Sequence, residues 1–213
     1  MIARAKKVSY RATNSYSTLN DLTQRTKNVW FVFHGIGFLS RYFLKYFREL
    51  PPDDNYIVAP QAPSKYYLNG AYNHVGASWL TKDNTEAGTE NILNYMDGIL
   101  LAENVPEHCK IFVFGFSQGV SIAMRWVALR KIACDHLVLY AGGIPPELTR
   151  NDFDFIPQEG KVTIIVGDSD EYLTRERLVK ERHKISLLFG EKTTYIIFPG
   201  GHEVKMELIN SLI

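Results

Sequence analysis

Six short apolar runs, each four or five residues long, set the outline of this chain. They are Val29–Phe33 (VWFVF), Tyr56–Ala59 (YIVA), Ile111–Phe114 (IFVF), His136–Tyr140 (HLVLY), Val162–Val166 (VTIIV) and Tyr195–Phe198 (YIIF). Their apolarity is continuous, not alternating, as in strands of a parallel sheet buried on both faces. Between them the period turns helical. Leu39, Phe43, Tyr46, Phe47 and Leu50 share one stripe, and so do Ile92, Met96, Ile99 and Leu100. Val120, Ala123, Met124 and Val127 form another, closed by Arg130 and Lys131, where cations suit a helix C-terminus. Residues 204–213 also read as helical. Strands alternating with helices predict an α/β domain, with a mostly parallel sheet covered by helices on both faces. Val8–Ser17 is expected to add a polar edge strand, and residues 60–81 form a long irregular stretch. No repeat or linker divides residues 1–213, so one domain is expected.

Composition narrows the partners. Hydrophobic residues make up 46% and charged residues 22% of 213, and 24 basic against 23 acidic side chains leave a net charge of +1. Nothing in that balance calls for a nucleic acid or a charged surface. No run approaches a membrane span, and the basic N-terminus lacks the apolar core of a signal peptide. Cys109 and Cys134 border apolar runs and read as small core residues, without a disulfide framework or a metal site. A cytoplasmic location is the expectation.

The third apolar run ends in Gly115-Phe116-Ser117-Gln118-Gly119. A serine at a sharp strand-to-helix turn has its hydroxyl exposed at a helix N-terminus, and small flanking residues let the turn close. The competing reading is a helix cap on a glycine-tolerant turn. A serine is a weak nucleophile until a base takes its proton, and the base needs an orienting carboxylate. Of the three histidines after Ser117, His136 opens a buried run and His183 lies in the charged stretch TRERLVKERHK. His202 follows the last run across Pro199-Gly200-Gly201, where the chain can reach over the sheet edge. Asp168 and Asp170 both follow the Val162–Val166 run, and spacing alone does not separate them. An oxyanion stabiliser is expected from the amides of Gln118 and of Ile36, the latter in the loop His34-Gly35-Ile36-Gly37. His34 precedes the serine in chain order and reads as a structural residue of that loop, not as the base.

With these residues in place, the chain from about Asn28 to His202 resembles the α/β-hydrolase family of carboxylesterases, lysophospholipases and acyl-protein thioesterases. The stretches that carry the likeness are FVFHGIG, VAPQAPSKYYLNGAYNHVGASW, VFGFSQG, and GDSD followed by GGH. The resemblance implies a compact α/β-hydrolase fold without a large cap domain and a Ser117-Asp170-His202 triad, with Asp168 as the alternative acid. It also implies hydrolysis of carboxylic esters or thioesters of small to medium acyl chains through an acyl-enzyme, with no cofactor and no metal. A homodimer is implied as well. Trp79, Tyr67 and Leu68 are the expected acyl-pocket residues. The chain departs from the family pattern at Phe38, Ala77, Val120 and Leu173-Thr174. A non-catalytic binding protein, a serine peptidase and an acyltransferase are the alternatives on the same fold.

Overall fold

The computed structural model describes residues 3–70 and 72–213, so Ala71, inside the expected aromatic loop, and the first two residues of the N-terminus lie outside it. Nine strands appear: β1 (Tyr16–Leu19), β2 (Asn28–Phe33), β3 (Asn55–Pro60), β4 (Ser64–Tyr67), β5 (Val75–Ser78), β6 (Lys110–Phe116), β7 (His136–Tyr140), β8 (Lys161–Gly167) and β9 (Thr193–Phe198). The helices are α1 (Ser40–Phe43), α2 (Thr85–Glu103), α3 (Gln118–Arg130), α4 (Arg175–Phe189) and α5 (Met206–Asn210). Seven strands form one sheet in the order β1-β3-β2-β6-β7-β8-β9, and all neighbours are parallel except β1 on β3.

The continuous apolar runs have a direct cause. Alternate residues of one strand feed two different cores. Val29, Phe31 and Phe33 of β2 pack with Trp126 of α3 and Met96 of α2, while Trp30 and Val32 pack on the other face with Phe43, Phe47 and Phe114. Every residue of β2 past Asn28 is therefore buried.

Four local expectations are revised. The edge strand begins at Tyr16, not Val8. Just before it, the backbone leaves the ladder, with Asn14 Nδ2 donating to the Gln61 carbonyl and Gln61 N to the Ser15 carbonyl. The 39–50 stripe makes one α-turn and then tightens to a 3₁₀ turn at Leu44–Phe47, ahead of Pro51-Pro52, which disfavours continued helix. The last helix is only Met206–Asn210. The 60–81 stretch is not wholly irregular: it contains the antiparallel β4–β5 hairpin, closed by Leu68 N donating to the His74 carbonyl.

The sheet fixes where chemistry can gather. From β2 the chain moves outward to β3 and later returns to lay β6 on the opposite side of β2. That reversal opens a crevice at the C-terminal ends of β2 and β6, the usual ligand position on an open parallel sheet.

Candidate functional site

Ser117 stands in that crevice, between β6 and α3, with φ 54° and ψ −119°. For a residue with a Cβ this is a strained conformation, of order 1–3 kcal/mol, and it persists only where the surroundings enforce it. Here they do. The Ser117 amide donates to the Tyr140 carbonyl of β7 at 2.8 Å. A side-chain carbon at Gly115 would meet the Gly119 carbonyl at 2.6 Å, and one at Gly119 would run into the Phe33 carbonyl. Both glycines are thus required by close backbone approach. Val120 is fully buried beside the turn, and Gly142 makes room for it, since a Cβ there would strike the Val120 side chain.

His202 Nε2 lies 2.8 Å from Ser117 Oγ, and His202 Nδ1 lies 2.7 Å from Asp170 Oδ2. The Asp170 side chain has no exposed surface, against 13% for His202. Its second oxygen, Oδ1, accepts the amides of Tyr172 and Leu173 at 2.8 and 2.9 Å. Three donors fix the direction of this buried carboxylate. It sets the imidazole tautomer with Nδ1–H toward Asp170, leaving Nε2 to accept the serine proton. Phe116 and Tyr172 flank the ring, with centroids 5.0 and 4.7 Å away.

The opposite rim is the loop after β2. His34 is fully buried, and both its ring nitrogens are committed to backbone. Nε2 accepts the Ala62 amide at 3.2 Å, so Nδ1 carries the proton and donates to the Gly35 carbonyl at 2.8 Å. Burial pushes its pKa down to about 4, offset in part by that Gly35 bond. His34 is neutral and engaged on both sides. The β4–β5 hairpin supports the loop, with Gly37 N donating to the Ala77 carbonyl at 2.8 Å. Among the described residues, neither the Ile36 nor the Gln118 amide has a hydrogen-bond acceptor, and both residues line the cleft that holds Ser117.

No family model and no curated protein matches the sequence. Solved structures do share its architecture. Acyl-protein thioesterase 2 of Zea mays superposes with a TM-score of 0.71 at 15% identity, covering 94% of this chain and 96% of that one. Esterase PE8 gives a TM-score of 0.67 at 19% identity, covering 94% and 98%. A phospholipase/carboxylesterase from Dyadobacter fermentans gives 0.67 at 18% identity, covering 95% and 97%. The fold is that of the α/β-hydrolases.

Within this α/β-hydrolase fold the remaining sequence-derived candidates separate. Asp168 does not touch the imidazole. Its Oδ1 accepts Gly200 N at 3.2 Å and Ser169 Oγ at 2.9 Å, and these bonds hold its carboxyl below the usual range. It ties down the loop that delivers His202. His136 is buried on Thr163 Oγ1, and its pKa is lowered to about 4, chiefly by burial. His183 is exposed on α4. Cys109 and Cys134 are buried and unpaired, and burial pushes Cys134 up to about 12. The described residues hold no cluster of metal-ligating side chains, and no described helix is long and apolar enough to cross a membrane.

The three expected pocket residues stand around the hairpin and behind the rim. Trp79, Tyr67 and Leu68 are absent from the lining of the Ser117 cleft. Trp79 is only 2% exposed and donates its indole N–H to the His34 carbonyl at 2.8 Å, so it braces the rim from behind. Tyr67 is exposed and packs edge-on against Tyr72 at the hairpin tip, and Leu68 sits in the hairpin turn. The aromatic spacing carried no information about which side of the hairpin faces the cleft.

The cleft has a volume of about 430 Å³, and its far wall comes from elements that the pocket reading passed over: Ala141, Gly142 and Gly143 after β7, with Tyr172, Leu173 and Arg177 near the start of α4. The Gln118 side chain was also missed. Its Oε1 accepts Trp79 N at 2.8 Å, and its Nε2 donates to the Leu80 carbonyl at 2.7 Å. No motif in the sequence signals this clamp, because it joins residues about forty positions apart.

Proposed function

We propose that this protein is a serine hydrolase that cleaves carboxylic esters, thioesters included, through an acyl-enzyme. The observation that carries the reading is the unbroken hydrogen-bond relay from Ser117 Oγ through His202 to buried Asp170. Ser117 Oγ attacks the acyl carbonyl as His202 Nε2 takes its proton, and Asp170 stabilises the imidazolium. The amides of Ile36 and Gln118 receive the oxyanion, helped by the N-terminus of α3. The imidazolium then protonates the leaving group, and water activated by the same Nε2 releases the acid. No step requires a metal or an organic cofactor.

A cleft of about 430 Å³ falls toward the small end of ligand sites, which span roughly 300–1,000 Å³. That supports acyl groups of small to medium length. The buried, unpaired thiols support a cytoplasmic setting.

The test is initial-rate hydrolysis of p-nitrophenyl esters from acetate to laurate, with the Ser117→Ala variant alongside. Turnover by the parent and a drop of about 10⁵–10⁶-fold in kcat for the variant are expected. Equal turnover by both overturns the reading. A fluorophosphonate that labels the parent on Ser117, and not the His202→Gln variant, is the matching chemical result.

A further inference from the structure

Among the described residues, Arg177 is the one that lines the Ser117 cleft and carries a permanent charge. Its position runs against helix electrostatics. It lies in the first turn of α4, whose N-cap is Thr174, where the macrodipole is positive and cations are disfavoured. A residue that breaks a local rule points to a gain elsewhere.

The guanidinium is held from behind. Nη1 donates to the Tyr172 carbonyl at 3.0 Å, and Nε stands 3.7 Å from Glu181 Oε1. Glu181 is itself buried and already shared, accepting the Ile144 amide at 2.9 Å with Lys184 Nζ 3.8 Å away. One carboxylate thus sits between two cations, and Arg177 is not fully neutralised. Nη2 donates to no described residue, and a Cβ at Gly143 would lie 2.7 Å from it, so the missing side chain at 143 leaves the guanidinium its place on the cleft wall. The side chain is 48% exposed, enough for a ligand to reach it. Glu171, next in sequence to Tyr172, is turned toward the loop of His202, whose amide its Oε2 accepts at 3.3 Å.

We infer that Arg177 makes this cleft selective for esters that carry an anionic oxygen group, a carboxylate or a phosphate, in the part of the substrate lying against the β7–α4 wall. The inference rests on the serine-hydrolase reading above and names its substrate class. A planar guanidinium with unused donors suits such a group, through paired N–H···O bonds. Arg177 acts on binding and specificity, not on the bond-breaking step.

Two substrate pairs separate the sources of charge. Monomethyl glutarate against methyl pentanoate places a carboxylate on the acyl side. Monobutyrin 3-phosphate against monobutyrin places a phosphate on the alcohol side. The parent is expected to favour the charged member of one pair by about tenfold or more in kcat/KM. Arg177→Gln is expected to cut that ratio by about tenfold, through KM, and Arg177→Lys to restore part of it. Loss of packing alone would lower both members of a pair together and leave the ratio intact.

No charge preference in either pair, or a ratio unmoved by Arg177→Gln, overturns the inference while leaving ester hydrolysis standing. If the parent cleaves none of the four esters and no fluorophosphonate labels Ser117, the hydrolase reading falls by itself. Calorimetry on the Ser117→Ala chain with glutarate and with glycerol 3-phosphate then reads the anion site without turnover. Saturable binding that Arg177→Gln abolishes supports the site, and absence of binding to both ligands overturns it.

Discussion

Two histidines stand on the two rims of one cleft, each following a parallel strand and each next to glycine. His34 comes after β2 and His202 after β9. Their rings do different work because their partners differ. His34 spends one nitrogen on the Ala62 amide and the other on the Gly35 carbonyl. His202 has a carboxylate on Nδ1 and a serine hydroxyl on Nε2. An imidazole becomes a base through the groups that surround it, and position at a strand end is not enough.

The largest expected contrast tests that difference directly. His202→Gln is expected to lower kcat by about 10⁴-fold or more with little change in thermal stability. His34→Gln is expected to lower the unfolding free energy by about 1–3 kcal/mol, because it disturbs a buried, doubly bonded ring. Activity retained by His202→Gln and lost by His34→Gln would reverse the two roles.

Next is the pair of aspartates. Asp170→Asn is expected to cost about 10²–10⁴ in kcat, since an amide no longer holds the imidazole in the productive tautomer. Asp168→Asn leaves that contact intact and weakens only the bonds to Gly200 and Ser169, so less than about tenfold is expected. Steady-state kinetics on the two variants measure the gap, and equal losses would erase the distinction.

A smaller effect lies in the pH dependence of stability. The folded-state pKa values of His34 and His136 are both lowered to about 4, from 6.5 when unfolded. Below pH 6.5 the unfolded chain binds protons that the folded chain refuses. Stability is therefore full above about pH 6.5 and is lost as pH falls toward 4. Each histidine accounts for about 2 kcal/mol of that loss by pH 4.5. Urea midpoints measured from pH 7 to 4.5 are expected to fall less steeply in His34→Gln than in the parent, and parallel curves would contradict the desolvated state of this ring.

These residues also show what the sequence could disclose. The inner parallel strands were legible because each must satisfy two cores at once, as VWFVF does, whereas the run YIIF was misleading as a sign of double burial: it lies on the edge strand β9, where only Phe198 is buried. The meeting of Ser117, His202 and an aspartate was legible because each sits where an apolar run ends, and the spacing left the choice between Asp168 and Asp170 open. That choice depended on which carboxylate turns toward the ring, a matter of local bonding at Tyr172 and Leu173. The far wall was not legible. Gly142 and Gly143 look like any turn, and Arg177 is hidden in a stretch rich in charge. The β4–β5 hairpin escaped because all four residues of β4 are exposed and so show no alternation.

The Gln118 side chain has a practical consequence for anyone who wishes to reshape this cleft. Its amide is left without an acceptor beside Ser117, while its carboxamide grips Trp79 and Leu80 immediately after the hairpin. Grafting a new hairpin between residues 64 and 78 therefore alters more than the scenery around the substrate. A graft that shifts the backbone at 79–80 by even an ångström hands that displacement to the turn bearing Ser117. Loop libraries built here gain by holding Ser78, Trp79 and Leu80 constant and placing their diversity at the hairpin tip, where the chain is free of that grip.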